Sequence, residues 1–399
     1  MTPQAAPVGG ILWNRAYQWL AGLTGLGVIL MLFRYAFGLG AATGLSDGYP
    51  FGIWIAFDVV TGTALGCGGY AVAILVYVLN KRQYHPLVRP AVLTAVLGYS
   101  LAGFSIFLDV GRYWEIWKIP LYFWHWNLHS ALLEVALCIM AYTGVLWIEM
   151  APPILEGWRE AKTPLLRRIS ERALPVVGKL MIPLLAVGML LPTMHQSSLG
   201  TVMMLAGGKV HPLWQSPLLP LLFLLSVIGM GYAAVVFETT LSSWLLDRRF
   251  DTAMLGRLGV AMSWLTAAFL AVRFADLALR GKLRIAFTGG WMAVWFWLEI
   301  ALFAAAAVMA RNRAMRSDPG GLFQTAMTMM TAGALYRFNV YIVAFNPGSS
   351  WSYFPAIPEV FITIGIVSAE IMAFIFFIRR FPILSSDGSN VATPGRNQS

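Results

Sequence analysis

The chain has 399 residues, of which 58% are hydrophobic and 12% charged, and its mean hydropathy is +0.69. A soluble domain carries roughly 25% charged residues, so half the usual polar surface is missing and a string of soluble domains is excluded. The formal net charge of +10 does not argue for nucleic acid, because the basic residues sit in short connections between apolar blocks.

Those blocks are about 20 residues long, the length that spans a bilayer. In chain order the predicted spans are 17–37, 53–79, 88–109, 125–150, 174–194, 218–245, 258–279, 290–310, 322–345 and 357–378. The fold class expected is an all-α polytopic membrane protein of about ten helices, forming one membrane domain over 1–382. Gly-Tyr-Pro at 48–50 and Asn-Pro-Gly at 346–348 punctuate two of the connections. The polar segment 383–399 reads as a disordered tail. No small-residue cleavage pattern precedes the first span, so no cleavable signal peptide is expected.

Lys and Arg counted by side give eighteen on the side of the termini and six on the other. The basic side includes Lys81, Arg82, Arg89, Arg167, Arg168, Arg248, Arg249, Arg311, Arg379, Arg380 and Arg396. The positive-inside tendency then places both termini in the cytoplasm, which an even number of spans requires.

Ionisable groups inside spans cost about 2.5–3.5 kcal/mol each at a helix centre, so their survival is informative. Asp58, Asp109, His129, His195, Arg273, Asp276 and Arg337 are expected near the non-cytoplasmic ends. Tyr99, Glu134 and Glu370 are expected near mid-depth, with Glu238 closer to the cytoplasm. A cluster at one face with a trail inward suits a ligand site with a proton route. The plainer reading is structural pairing: Arg273 with Asp276, Asp109 with Arg112, and Arg337 with Glu299 or Glu370.

Cys67 and Cys138 are the two cysteines, and without a Cys-x-x-Cys pair no iron–sulfur cluster is expected in this chain. A b-type haem is not expected either. His85 and His211 fall in connections, and His125 and His129 are one turn apart on one predicted helix, so only His129 with His195 could bracket an iron, and both are expected at the membrane edge. The aromatic stretch Tyr113, Trp114, Trp117, Tyr122, Phe123, Trp124 and Trp126 reads either as interfacial anchoring or as a slot for a flat quinone ring.

Five strings are distinctive: Gln-Tyr-His-Pro-Leu-Val-Arg-Pro (83–90), Phe-Leu-Asp-Val-Gly-Arg-Tyr-Trp (107–114), Leu-Pro-Thr-Met-His-Gln-Ser-Ser (191–198), His-Pro-Leu-Trp-Gln-Ser-Pro (211–217) and Ala-Phe-Asn-Pro-Gly (344–348). With them the chain, from about 51 to 382, resembles the membrane subunits of hydrogenase-2-type nickel–iron hydrogenases in the polysulfide reductase NrfD family. The resemblance implies two four-helix bundles plus two C-terminal helices in a bacterial inner membrane. It implies a haem-free subunit reactive with menaquinone or another quinone, with a periplasmic iron–sulfur ferredoxin-like subunit and the small and large hydrogenase subunits as partners. It further implies proton handling by Tyr99, Glu134, His195 and Glu238, and a quinone site at Asp58, Asp109, Arg112, His129 and His195. A passive membrane anchor and a secondary transporter remain the competing readings.

Overall fold

The computed structural model describes residues 5–246 and 250–384. Arg248, Arg249, Arg396 and the tail from 385 onward lie outside the described residues. Ten long helices run back and forth: α1 (Arg15–Phe37), α2 (Trp54–Val78), α3 (Arg82–Asp109), α4 (Ala131–Trp158), α5 (Pro164–Leu205), α6 (Leu219–Leu246), α7 (Thr252–Leu279), α8 (Trp291–Arg311), α9 (Pro319–Phe338) and α10 (Ile357–Arg380). Among the described residues nine of them are long and apolar enough to cross a membrane. The exception is α9, which continues as a π-helical turn, Asn339–Val343. It carries Thr325, Arg337 and Asn339 in place of aliphatic residues and is packed between α6 and α8. A helix shielded by neighbours does not need a lipid-compatible surface.

Helices α2–α5 pack as one four-helix bundle and α6–α9 as a second, with α6 lying against α2 and α5. At the α2–α6 contact a Cβ on Gly231 would stand 2.7 Å from the Cys67 carbonyl oxygen, so glycine is what lets the two backbones meet there. The pair outside the bundles is α1 with α10, one helix from each end of the chain, and not two C-terminal helices as expected. They touch at Gly27 and Gly365, where a Cβ on either would fall 2.8–2.9 Å from the other's Cα. Arg34 of α1 pins this pair to the bundle by donating to the carbonyls of Leu108 and Val110, both at 2.8 Å. Those carbonyls end α3, and an unpaired helix end would be costly in lipid.

Both ends of the described chain lie at one face. Val8 N–H bonds the Ile378 carbonyl, Ala6 N–H bonds that of Leu384, and Arg89 reaches Glu156 and the Pro382 carbonyl. This is the basic face; the connections after α1, α3, α5, α7 and α9 lie at the opposite one. Helix α5 has 42 residues, about 63 Å at 1.5 Å per residue, and extends well beyond the predicted span 174–194 at both ends. That extension carries His195 into the protein interior.

Candidate functional site

Tyr99 lies midway along α3 and His195 on α5, both fully buried. The Tyr99 hydroxyl is 3.2 Å from His195 Nδ1 and 3.4 Å from Cys67 Sγ. Beside them Gln196 Nε2 is 3.0 Å from Thr63 Oγ1 and 3.3 Å from His195 Nδ1, while Gln196 Oε1 accepts from Arg337 Nη2 at 3.4 Å. This chain of contacts fixes protons. Arginine can only donate, so the Gln196 atom facing it is the carbonyl oxygen and the atom facing His195 is the amide. His195 Nδ1 must then accept, which leaves the ring proton on Nε2. That Nε2 is buried and has no partner among the described residues.

Arg337 is fully buried, with no carboxylate within salt-bridge range among the described residues. It donates to the carbonyls of Val60 (3.1 Å) and Gly333 (3.3 Å) and to Ser226 Oγ (3.3 Å). Val60 lies in the π-helical opening of α2, Trp54–Thr61. A π-turn shifts carbonyls out of the ordinary i→i−4 ladder and often marks a functional site. The pairing expected between Arg337 and Glu299 or Glu370 is not formed. Arg273 pairs Glu299 at 3.4 Å and Asp276 pairs Arg280 at 2.5 Å, so the expected Arg273–Asp276 pair is also replaced.

Between α3 and α4 lies a cavity of about 320 Å³ with Tyr99, Ser100, Gly103, Ile106, Ile139 and Thr143 in its wall. It is apolar except for a few hydroxyls, as sites for flat organic rings usually are. Tyr99 therefore faces the cavity and meets His195 and Cys67 through its hydroxyl. The aromatic connection closes the cavity with Ile116 and Ile119 instead of its rings. Trp114, Phe123 and Trp124 are each about 60% exposed, so these three rings do not wall a slot within this chain.

Carboxylates line one stripe of α3. Glu238 of α6 accepts from Thr94 Oγ1 at 2.7 Å. Glu370 of α10 stands 3.5 Å from where a Cβ on Gly98 would be. Asp58 accepts from Ser105 and Thr363, each at 3.2 Å, and Asp109 ends the helix. One oxygen each of Glu238, Asp58 and Asp109 is buried without a partner among the described residues. From Thr94 to Asp109 the stripe runs about 22 Å.

The expected residues thus divide. Tyr99 and His195 form one unit, and His195 lies at the level of Tyr99 instead of at the membrane edge. Asp58, Asp109 and Glu238 lie along α3. Glu134 is not at mid-depth: it is half-buried in the first turn of the α4 segment Ala131–Glu149. Arg112 is exposed and does not pair Asp109. His129 is exposed in a turn before α4, and His125 sits in a separate 3-10 turn, so they do not share a helix. Polar Ser130 explains this, since it caps the helix by accepting from Leu133 N–H at 3.3 Å. Arg337 and Gln196 as partners of His195 were missed, because contacts between distant helices leave no local signal. Arg34 had one: a cation near a helix C-terminus.

The fold and this interior define a polytopic helical membrane protein with a hydrogen-bonded polar core beside an apolar cavity. Residues 41–346 match the profile of the polysulphide reductase NrfD family. The chain belongs to that family, and the matched region holds both bundles while omitting α1 and α10. It is 41% identical over 391 residues to the probable Ni/Fe-hydrogenase 2 b-type cytochrome subunit of Escherichia coli K12, covering 96% of each chain. It is 30% identical over 378 residues to the menaquinone reductase integral membrane subunit of Nitratidesulfovibrio vulgaris Hildenborough, covering 88% of this chain and 87% of that one. A more distant relative, protein NrfD of E. coli K12, is 22% identical over 253 residues, covering 58% and 76%.

Proposed function

We propose that this chain is the quinone-reactive membrane subunit of a respiratory redox complex, passing electrons from an iron–sulfur partner on the opposite face to menaquinone or another quinone. Relatives named as subunits of a nickel–iron hydrogenase and of a menaquinone reductase support membership in such a complex. The resemblance favours a nickel–iron hydrogenase as the catalytic partner, docked on the periplasmic side of a bacterial inner membrane, with both termini cytoplasmic. The observation that carries the quinone reading is the Tyr99–His195 pair set against the apolar cavity between α3 and α4.

A quinone head group in that cavity would accept two electrons and two protons. Tyr99 stands in its wall with its hydroxyl bonded to His195 behind it, and Arg337 through Gln196 keeps the imidazole in one tautomer. Asp58, Asp109 and Glu238 along α3, with Glu134 near the opposite face, supply the carboxylates for coupled proton movement.

The b-type cytochrome in one relative's name raises haem. The described residues do not suit an axial imidazole pair: His195 is the one histidine inside the α-helical part of a span. His85, His125, His129 and His211 all lie in turns or connections. No step is assigned to haem.

The test uses the complex purified with its partners in liposomes containing menaquinone. Ala136, in the cavity wall, changed to Trp fills the space. Hydrogen-driven quinone reduction is expected to fall at least tenfold, while reduction of a soluble viologen dye continues. Wild-type quinone reduction in that variant would refute the site, and a passive anchor would show that result.

A further inference from the structure

Helix α5 is longer than a bilayer needs. Its 42 residues measure about 63 Å, against a hydrocarbon core of roughly 30 Å. Its last residue, Leu205, lies at the opposite face, and about 20 residues counted back from there fill the core. The first half of the helix is left over on the basic face.

That half does not continue straight beside its neighbour. Ser170 Oγ donates to the Leu155 carbonyl at 2.7 Å, and a Cβ on Gly188 would stand 2.7 Å from Glu149 Oε1. Between these contacts α5 advances 18 residues, about 27 Å, while α4 advances six, about 9 Å. Helix α5 therefore slants away from the line of α4. Pro175 and Pro183 stand between the two contacts, and each removes a helix hydrogen bond, which permits a bend.

The side chains of 164–180 sort by face. Leu165, Ile169, Val176 and Leu180 share one stripe at helical spacing and are 39–64% exposed. Ser170, buried against α4, lies on one flank of that stripe. On the other flank Arg168, Arg172 and Lys179 form a line, all three exposed and without a salt bridge among the described residues. From 159 to 179 the chain carries six basic residues and two acidic ones. An apolar stripe this open is unfavourable in water, and a row of cations is unfavourable in hydrocarbon. The headgroup layer suits both, with acyl chains below for the stripe and phosphates beside the cations.

We propose that the stretch 164–180 of α5 lies in the headgroup layer on the basic face and binds anionic phospholipid through Arg168, Arg172 and Lys179. Charge complementarity selects anionic over zwitterionic lipid, since each basic residue near an anionic surface adds to the attraction.

The test uses the complex purified with its partners, carrying a fluorophore at Ile169→Cys in phosphatidylcholine liposomes; Cys67 and Cys138 are buried. Quenching by nitroxide-labelled lipid is expected to exceed quenching by aqueous iodide several-fold. Quenching by iodide alone would mean a helix standing in water, and protection from both would mean a protein cover. Either result overturns the proposal. Traces of nitroxide phosphatidylglycerol are expected to quench several-fold more than equal traces of nitroxide phosphatidylcholine. The combined Arg168→Gln, Arg172→Gln and Lys179→Gln variant should bring the two lipids level while lipid quenching persists. Equal quenching by both lipids in the unsubstituted basic line would overturn the anionic preference, as would a preference that the triple variant keeps. If the triple variant does not assemble with its partners, the comparison of the two lipids with the basic line intact decides.

Discussion

Arg337→Met tests how the buried polar chain works. Methionine keeps much of the side chain's bulk but removes every donor, so the Val60 carbonyl and Gln196 Oε1 both lose their arginine partner. A hydrogen bond from a charged donor is worth about 1.5–3 kcal/mol, and each buried acceptor left bare costs about 1–3 kcal/mol. The Gln196 amide is then free to turn, and His195 Nδ1 loses the neighbour that marks it as the acceptor. If one such bond is what holds the productive tautomer, the lost 1.5–3 kcal/mol corresponds to a rate falling about 10- to 150-fold. The assay is hydrogen-driven menaquinone reduction by the purified complex, with viologen reduction as the control and co-purification of the partners as the check on folding. Arg337→Lys should recover only part of the rate, because one ammonium cannot reproduce the guanidinium fork. A variant that assembles normally and reduces quinone at the wild-type rate would refute the argument.

Tyr99→Phe keeps the ring in the cavity wall and removes the hydroxyl from His195 Nδ1, so kcat for quinone is expected to fall about 10- to 100-fold with KM little changed; a change confined to KM would contradict it. Gly365→Leu places a side chain into α1, where a Cβ already stands 2.8 Å from the Gly27 Cα. The α1–α10 pair should loosen, read as faster proteolysis near the N-terminus, with both bundles intact. Glu156→Gln at the half-exposed pair with Arg89 should change stability by less than about 1 kcal/mol in a detergent melt. His211, in the connection after α5, is pushed below its ordinary range by burial. Its neutral form is therefore the folded one, and its contribution is complete above the unfolded value of about 6.5 and is lost as pH falls through the lower folded value. Hydrogen-exchange protection at Val210 and Asn346, taken relative to the intrinsic rate at each pH, should fall on acidification in the wild type and much less in His211→Asn.

Helix positions were legible because apolar blocks long enough to cross a bilayer have few other stable outcomes. The predicted spans match ten helices, including α9, whose polar face became understandable only once it lay between α6 and α8. Local caps such as Ser130 were readable in principle, and overlooking that one put His129 on a helix it precedes. Partner choice was not readable. Arg273 stands three residues from Asp276, yet it binds Glu299 on the next helix, and Asp276 takes Arg280 instead.

The sequence by itself determined the membrane class, the number of long helices, the family and the presence of Tyr99 and His195 as unusual interior groups. Hydropathy and motif strings are local, so they survive without coordinates. Only the tertiary structure decided that α1 pairs with α10, that His195 lies at the depth of Tyr99, and that Arg337 orients it through Gln196. Those facts depend on which helix faces meet. Small residues at crossing points and hydrogen bonds between distant segments set that choice, and neither has a period that can be read along the chain.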